Sequence, residues 1–305
     1  MQLNSGLHIL GYNDVGDAWI SEFTPAGVIK QTALPCIRSS STRGARLTPF
    51  IYRRKLYFVY MIIADDDHQF EVFAVNDPTC LRLELDVIMH GDGTSDRRQG
   101  YGIFDELVAC IASRRIHTQI VGDILYVALV GSIIGVNMDN KTIAHVITSN
   151  NHIMPIFLAT PSHMFIGNVP DFNSDTIRVS CIHKNLPLGF VDNSRVPLHW
   201  SRSDSSMYFM QHNQCILRKA CITWNGDEPT IDIDRADIAV ELKEAFWEQL
   251  VFVTDDIIAL AVIKPNACEL RIINMRSGDI YIVPCDYGEL GARDASHMII
   301  TADVY

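Results

Sequence analysis

The chain has 305 residues, 48% of them hydrophobic and 20% charged, and a formal net charge of −11. That balance supports a sizeable core and excludes a disordered chain, and the negative charge argues against non-specific binding to nucleic acid or to an anionic membrane. The longest apolar stretch, Ile124 to Met138, is broken by Gly131, Ser132, Gly135 and Asn137 and falls short of the roughly 20 residues a membrane helix needs, so the sequence predicts a soluble protein.

The first predicted elements are three strands, Leu7 to Gly11, Trp19 to Phe23 and Val28 to Leu34. Leu7 to Leu10 is too short for the apolar part of a secretory leader, and no basic stretch precedes it. After a polar segment from Cys36 to Thr48 come Pro49 to Tyr52, the fully apolar run Leu56 to Ile63, and a hairpin from Phe70 to Met89. In that hairpin Leu81, Leu83, Leu85 and Val87 alternate with Arg82, Glu84 and Asp86, the period of a strand with one buried face. Leu56 to Ile63 is apolar on both faces, as a strand sandwiched between two sheets requires. The segment Phe104 to Arg115 has helical spacing but reads better as the approach to an inner strand.

Three further units follow in the same style. One holds Thr118 to Val121, Ile124 to Val130, Ser132 to Asn137 and Ile143 to Thr148. The next holds Met154 to Leu158, His163 to Asn168, Thr176 to His183 and Leu186 to Asp192. The third holds His199 to Arg202, Met207 to Gln211, Cys215 to Thr223 and Thr230 to Asp234. Asp237 to Gln249 is rich in helix formers, with Ile238, Leu242, Ala245 and Phe246 at helical spacing, and allows a short helix. A fifth unit comprises Leu250 to Thr254, Ile257 to Ile263, Cys268 to Asn274 and Ile280 to Pro284, and a single strand, Met298 to Val304, follows it.

A tight polar turn recurs six times between two strand-like runs: Pro25-Ala26-Gly27, Asn76-Asp77-Pro78, Asp139-Asn140, Lys184-Asn185, Asn225-Gly226-Asp227 and Ser277-Gly278. A hairpin repeated every few tens of residues marks a modular β architecture. On this pattern the whole chain resembles a six-bladed β-propeller: all-β, one domain over residues 1–305, with blades near 49–89, 118–148, 154–192, 199–234 and 250–284. The sixth blade combines residues 296–305 with 7–35, one strand from the tail and three from the head. Pairing the two ends removes open sheet edges. No subfamily signature accompanies the resemblance. There is no Trp-Asp closing a strand, there are no paired glycines at repeat positions, and Ser203-Asp204-Ser205-Ser206 does not match the sialidase Ser-x-Asp-x-Gly pattern.

The residues that carry chemistry are thinly spread. Asp65, Asp66 and Asp67 are three adjacent acids that read as a solvated turn, as do Asp255 and Asp256. None of the 11 histidines forms a metal-binding spacing, and His8, His163 and His297 read as ordinary strand-side residues. Ser39-Ser40-Ser41 lacks a nucleophile elbow, and Gly91-Asp92-Gly93 is too short for a phosphate loop. The eight cysteines are scattered with no Cys-x-x-Cys, which reads as reduced thiols of a cytoplasmic or nuclear protein. Asn140-Lys141-Thr142 matches the glycosylation sequon at a turn, a single match of little weight. The sequence therefore singles out no catalytic residue, metal or cofactor.

Two long segments are locally basic in an acidic chain. Cys36 to Thr48 carries Arg38, Arg43 and Arg46, and His90 to Gly102 carries Arg97, Arg98 and Tyr101. In a propeller both connect an outer strand to the next inner strand and open on one face. Long loops on a rigid scaffold are where binding concentrates, and arginines suit an acidic or phosphorylated protein segment. The expected function is a non-enzymatic interaction scaffold, a subunit or substrate adaptor of an intracellular complex. The alternative is a propeller hydrolase acting on a sugar or lactone at the channel mouth.

Overall fold

The strands form where β-branched and aromatic residues run together, and they are joined by turns rich in Asn, Asp, Gly and Ser. The structure is a computed structural model. It describes residues 6–12, 18–24, 27–34, 46–53, 55–64, 67–74, 81–84, 117–129, 132–148, 156–167, 176–182, 186–192, 195–201, 205–211, 216–226, 228–231, 237–242, 250–263, 268–285 and 298–302. Among them there is no helix.

In chain order the strands are β1 (Leu7–Tyr12), β2 (Ala18–Thr24), β3 (Gly27–Leu34), β4 (Arg46–Tyr52), β5 (Lys55–Ala64), β6 (Asp67–Ala74) and β7 (Leu81–Glu84). Then come β8 (Thr118–Val121), β9 (Ile124–Leu129), β10 (Ser132–Asn137), β11 (Thr142–Thr148), β12 (Ile156–Ala159), β13 (His163–Gly167), β14 (Thr176–Cys181) and β15 (Leu186–Asp192). The last ten are β16 (Arg195–Ser201), β17 (Ser206–Gln211), β18 (Ile216–Asn225), β19 (Glu228–Ile231), β20 (Asp237–Glu241), β21 (Leu250–Thr254), β22 (Ile257–Ile263), β23 (Cys268–Asn274), β24 (Ile280–Cys285) and β25 (Met298–Ala302).

They assemble as antiparallel meanders. Five sheets are four-stranded: β25-β1-β2-β3, β4-β5-β6-β7, β8-β9-β10-β11, β12-β13-β14-β15 and β21-β22-β23-β24. The sixth, β16-β17-β18-β19, carries β20 in addition. The head and tail of the chain share one sheet as expected, with β1 and β25 in register from Leu7↔Ala302 to Gly11↔Met298. All six of the recurrent turns lie between the third and fourth strands of a sheet.

The chain divides into two compact units, one of Met1–Ile116 with Glu248–Tyr305 and one of His117–Trp247. In the first, β25 lies beside β21 on one flank and β4 on the other. Leu7, Ile9, Phe23 and Ile300 of one sheet pack on Val253, Ala259, Ala261, Leu270, Ile272 and Cys285 of the next, all buried. In the second unit β12 lies beside both β8 and β16, and its middle sheet is apolar on both faces with a period of two. Phe157, Ala159, Met164 and Ile166 face Tyr126, Ala128, Ile133 and Ile147. The intervening Leu158 and Phe165 face Met207, Phe209, Ala220 and Ile222.

Four expectations are corrected. The helix allowed over Asp237 to Gln249 does not form at its start, because Asp237–Glu241 is strand β20. The ten-residue β18 is longer than β19. Its second half pairs with β19 and its first half, Ile216 to Lys219, with β20. The demand of that backbone for partners overrides the helical pattern of a five-residue segment. Arg46, expected in a loop, opens β4 opposite Met61, and Asp67, expected in a turn, opens β6 opposite Ala64. The inner strand expected at His199 begins at Arg195, and its proline sits at a register shift between Pro197 and His199, where a ladder bond is already lost.

Candidate interaction surface

Two hairpin corners are built alike, one in each unit. In β10 the terminal Asn137 accepts hydrogen bonds on Oδ1 from the N–H groups of Asp139 and Asn140. Asn274, ending β23, does the same for Arg276 and Ser277. Each Asn carbonyl also accepts from the residue four on, Lys141 at 2.9 Å and Gly278 at 2.8 Å. Those residues have φ of 58° and 75°, a left-handed conformation that glycine adopts freely and lysine at a cost. The next residue, Met138 or Met275, donates its N–H to the carbonyl of Asp123 or Asp256 in the turn between the first two strands of the same sheet. The corner at Asp256 is reinforced by its carboxylate, 3.4 Å from the Arg276 guanidinium. The sequence signal, Asn-Met followed by a polar turn at 137–142 and 274–279, is present but goes unnoticed when only turns are scanned.

Inner strands are held together by side chains acting as a ladder. Gln119 on β8 donates to the Ala159 carbonyl at 3.0 Å and accepts from the Ala159 N–H at 2.7 Å. Two residues earlier, His117 donates from Nε2 to the Phe157 carbonyl at 2.8 Å. The edge of β12 that faces away from β13 is thus met at Phe157 and Ala159 by side chains of the neighbouring inner strand and the residue before it.

The polar residues singled out in the sequence do not converge among the described residues. His163 on β13 is buried, shares a 2.7 Å hydrogen bond with Ser162 and packs its ring 4.6 Å from that of Trp224. His8 lies in β1 opposite Glu22. Glu269 and Arg271 on β23 pair with one another at 3.0 Å. Among the described residues no three His, Cys, Asp or Glu side chains are placed to hold a metal ion, and no helix is long and apolar enough to cross a membrane. Neither the exposed Cys221 nor the buried Cys285 is in a disulfide, and the Cys285 thiol donates to the Val283 carbonyl at 3.5 Å. Tyr126 has its phenol pushed up from 10.0 to about 12 by burial, which keeps it neutral. Arg46 stands at the start of β4. Arg38, Arg43, Arg97, Arg98, Tyr101, Asp65, Asp66 and His297 lie outside the described residues, as does Phe104 to Arg115.

The feature that pattern-scanning missed is on the outer strands. Large apolar side chains stand exposed there: Ile280 (57%), Tyr281 (37%) and Ile282 (56%) on β24, Ile238 on β20, and Ile143 and Val146 on β11. Their sequence sign is an uncharged run, Ile280-Tyr281-Ile282-Val283, in the position where β7 carries Arg82 and Glu84.

No family model matches the sequence, and no curated protein matches it. Solved structures do match in shape. TolB from Acinetobacter baumannii aligns over 100% of this chain and 68% of its own, with a TM-score of 0.56 and 10% identity. The chain has the β-propeller fold. A puromycin-hydrolyzing peptidase of Mycobacterium tuberculosis aligns over 92% of this propeller and 46% of its own chain (TM-score 0.47, 11% identity). A Bacteroides fragilis protein, provisionally assigned as a 6-phosphogluconolactonase, aligns over 93% and 82% (TM-score 0.46, 11% identity). At these identities the likeness is one of fold alone.

Proposed function

We propose that this propeller is a non-enzymatic protein-interaction scaffold, a subunit or substrate adaptor of a larger complex in the cytoplasm or nucleus. The observation that carries the reading is the set of exposed isoleucines on the outer strands, Ile280 and Ile282 above all. A rigid antiparallel sheet that leaves β-branched side chains in water loses their burial energy, about 25 cal/mol for each Å² left uncovered, unless another surface covers them. The scattered cysteines, with no Cys-x-x-Cys among them, fit a reducing compartment. The arginine-rich segments add a second contact of opposite character. In this reading Arg38, Arg43, Arg46, Arg97, Arg98 and Tyr101 take an acidic or phosphorylated segment of a protein partner.

The test is native recovery of the full chain from its source, followed by size-exclusion chromatography and mass spectrometry. A stable assembly with other proteins is the expected result, and a chain recovered alone at its own mass overturns the reading. Charge reversal at Arg43, Arg46, Arg97 and Arg98 is expected to lower partner recovery. Unchanged recovery removes the arginines from the interface.

A further inference from the structure

Among the described residues, β24 closes its sheet with an unpaired edge. In the order β21-β22-β23-β24 no described strand lies beyond it. The Asn274 N–H donates to the Asp279 carbonyl at 2.9 Å, which makes 274 and 279 a hydrogen-bonded pair. Such pairs alternate along an antiparallel ladder, and β23 and β24 run in register without a bulge. The backbone groups of Tyr281, Val283 and Cys285 therefore point to β23, and those of Ile280, Ile282 and Pro284 point outward. The proline falls where it sacrifices no ladder bond. That leaves two outward N–H groups and three outward carbonyls.

Edge strands are normally guarded by charge. The sequences of other outer strands contain charged residues, Lys30 in β3, Arg82 and Glu84 in β7, Asp192 in β15 and Glu228 in β19. β24 has no charged residue, and its Ile280 and Ile282 are the most exposed large apolar side chains described. β11 also lacks charge, but Ile143 and Val146 are better covered at 39% and 37%.

We infer that β24 is a strand-addition site that takes an extended segment of a partner protein as a fifth strand, an inference that rests on the scaffold reading. A second copy of this chain is the weaker occupant. Two bodies of charge −11 repel, and an edge limited to Ile280 to Pro284 joins two sheets over far less than the roughly 1,000 Å² a stable interface needs. A peptide, unlike a second rigid sheet, covers both faces, meeting Ile280 and Ile282 on one and Tyr281 on the other. The fitting segment has β-branched residues opposite the isoleucines, no proline at the bonding positions, and a lysine or arginine near the exposed Asp279.

The probe is a labelled peptide of alternating isoleucine and threonine with one terminal lysine, titrated against the full chain. Saturable binding is expected, about tenfold weaker both for the peptide N-methylated at its bonding positions and for Ile282→Lys, with an unchanged melting temperature. N-methylated and parent peptides that bind alike, an Ile282→Lys chain that binds undiminished, or no binding at millimolar peptide overturns the inference. A concentration-dependent dimer abolished by Ile282→Lys overturns the choice of occupant. A chain that is recovered natively in a complex but ignores the probe refutes strand addition while leaving the scaffold reading in place.

Discussion

Gln119 does for two inner strands what a backbone ladder would do, one primary amide matching the N–H and C=O of Ala159. Gln119→Leu keeps the bulk but strands both groups, so unfolding by urea should show a loss of about 1–3 kcal/mol. Nothing in the sequence marks this glutamine, because its partner is a backbone forty residues away. Tyr126 gives a pH signature. Burial holds its folded-state pKa at about 12 against 10.0 in the open chain, so the native state keeps a proton that the unfolded state releases. Its contribution is complete below pH 10 and declines as pH rises from 10 toward 12. Thermal melts across that window should fall less steeply for Tyr126→Phe than for the parent.

At the scale of elements, alternation made most strands readable. β8, β10, β15, β21, β22 and β23 have the ends that their apolar runs imply. The misreadings have a common cause in long-range pairing. β20 looks helical in isolation and becomes a strand because half of β18 needs a partner. β16 extends four residues ahead of the expected start because its proline is tolerated at a register shift. The tail strand is the reverse case, since its lone apolar run demanded a distant sheet and found one. Ile300 is fully buried there among Leu7, Ile9 and Leu270. Ile300→Ala should cost about 2–5 kcal/mol, measured by chemical denaturation. The candidate interaction edge was legible only in part. Its strand was evident, but its exposure depends on where the sheet ends, which a run of letters does not state.

At the scale of the molecule, the two units differ in how the chain builds them. His117–Trp247 is continuous, whereas the other unit joins Met1–Ile116 to Glu248–Tyr305. Removing residues 248–305 takes away seven of the ten buried residues of the core around Ile9, Ile300 among them. A chain so truncated should lose cooperative unfolding, while a fragment of residues 117–247 should keep the circular dichroism of antiparallel sheet. The join between Leu7 and Ala302 has a further consequence for anyone rewiring the gene. Since the two residues are ladder neighbours, a short linker can fuse front to back, and new termini can be cut at an exposed corner such as the turn after Asn137 without unpicking any strand.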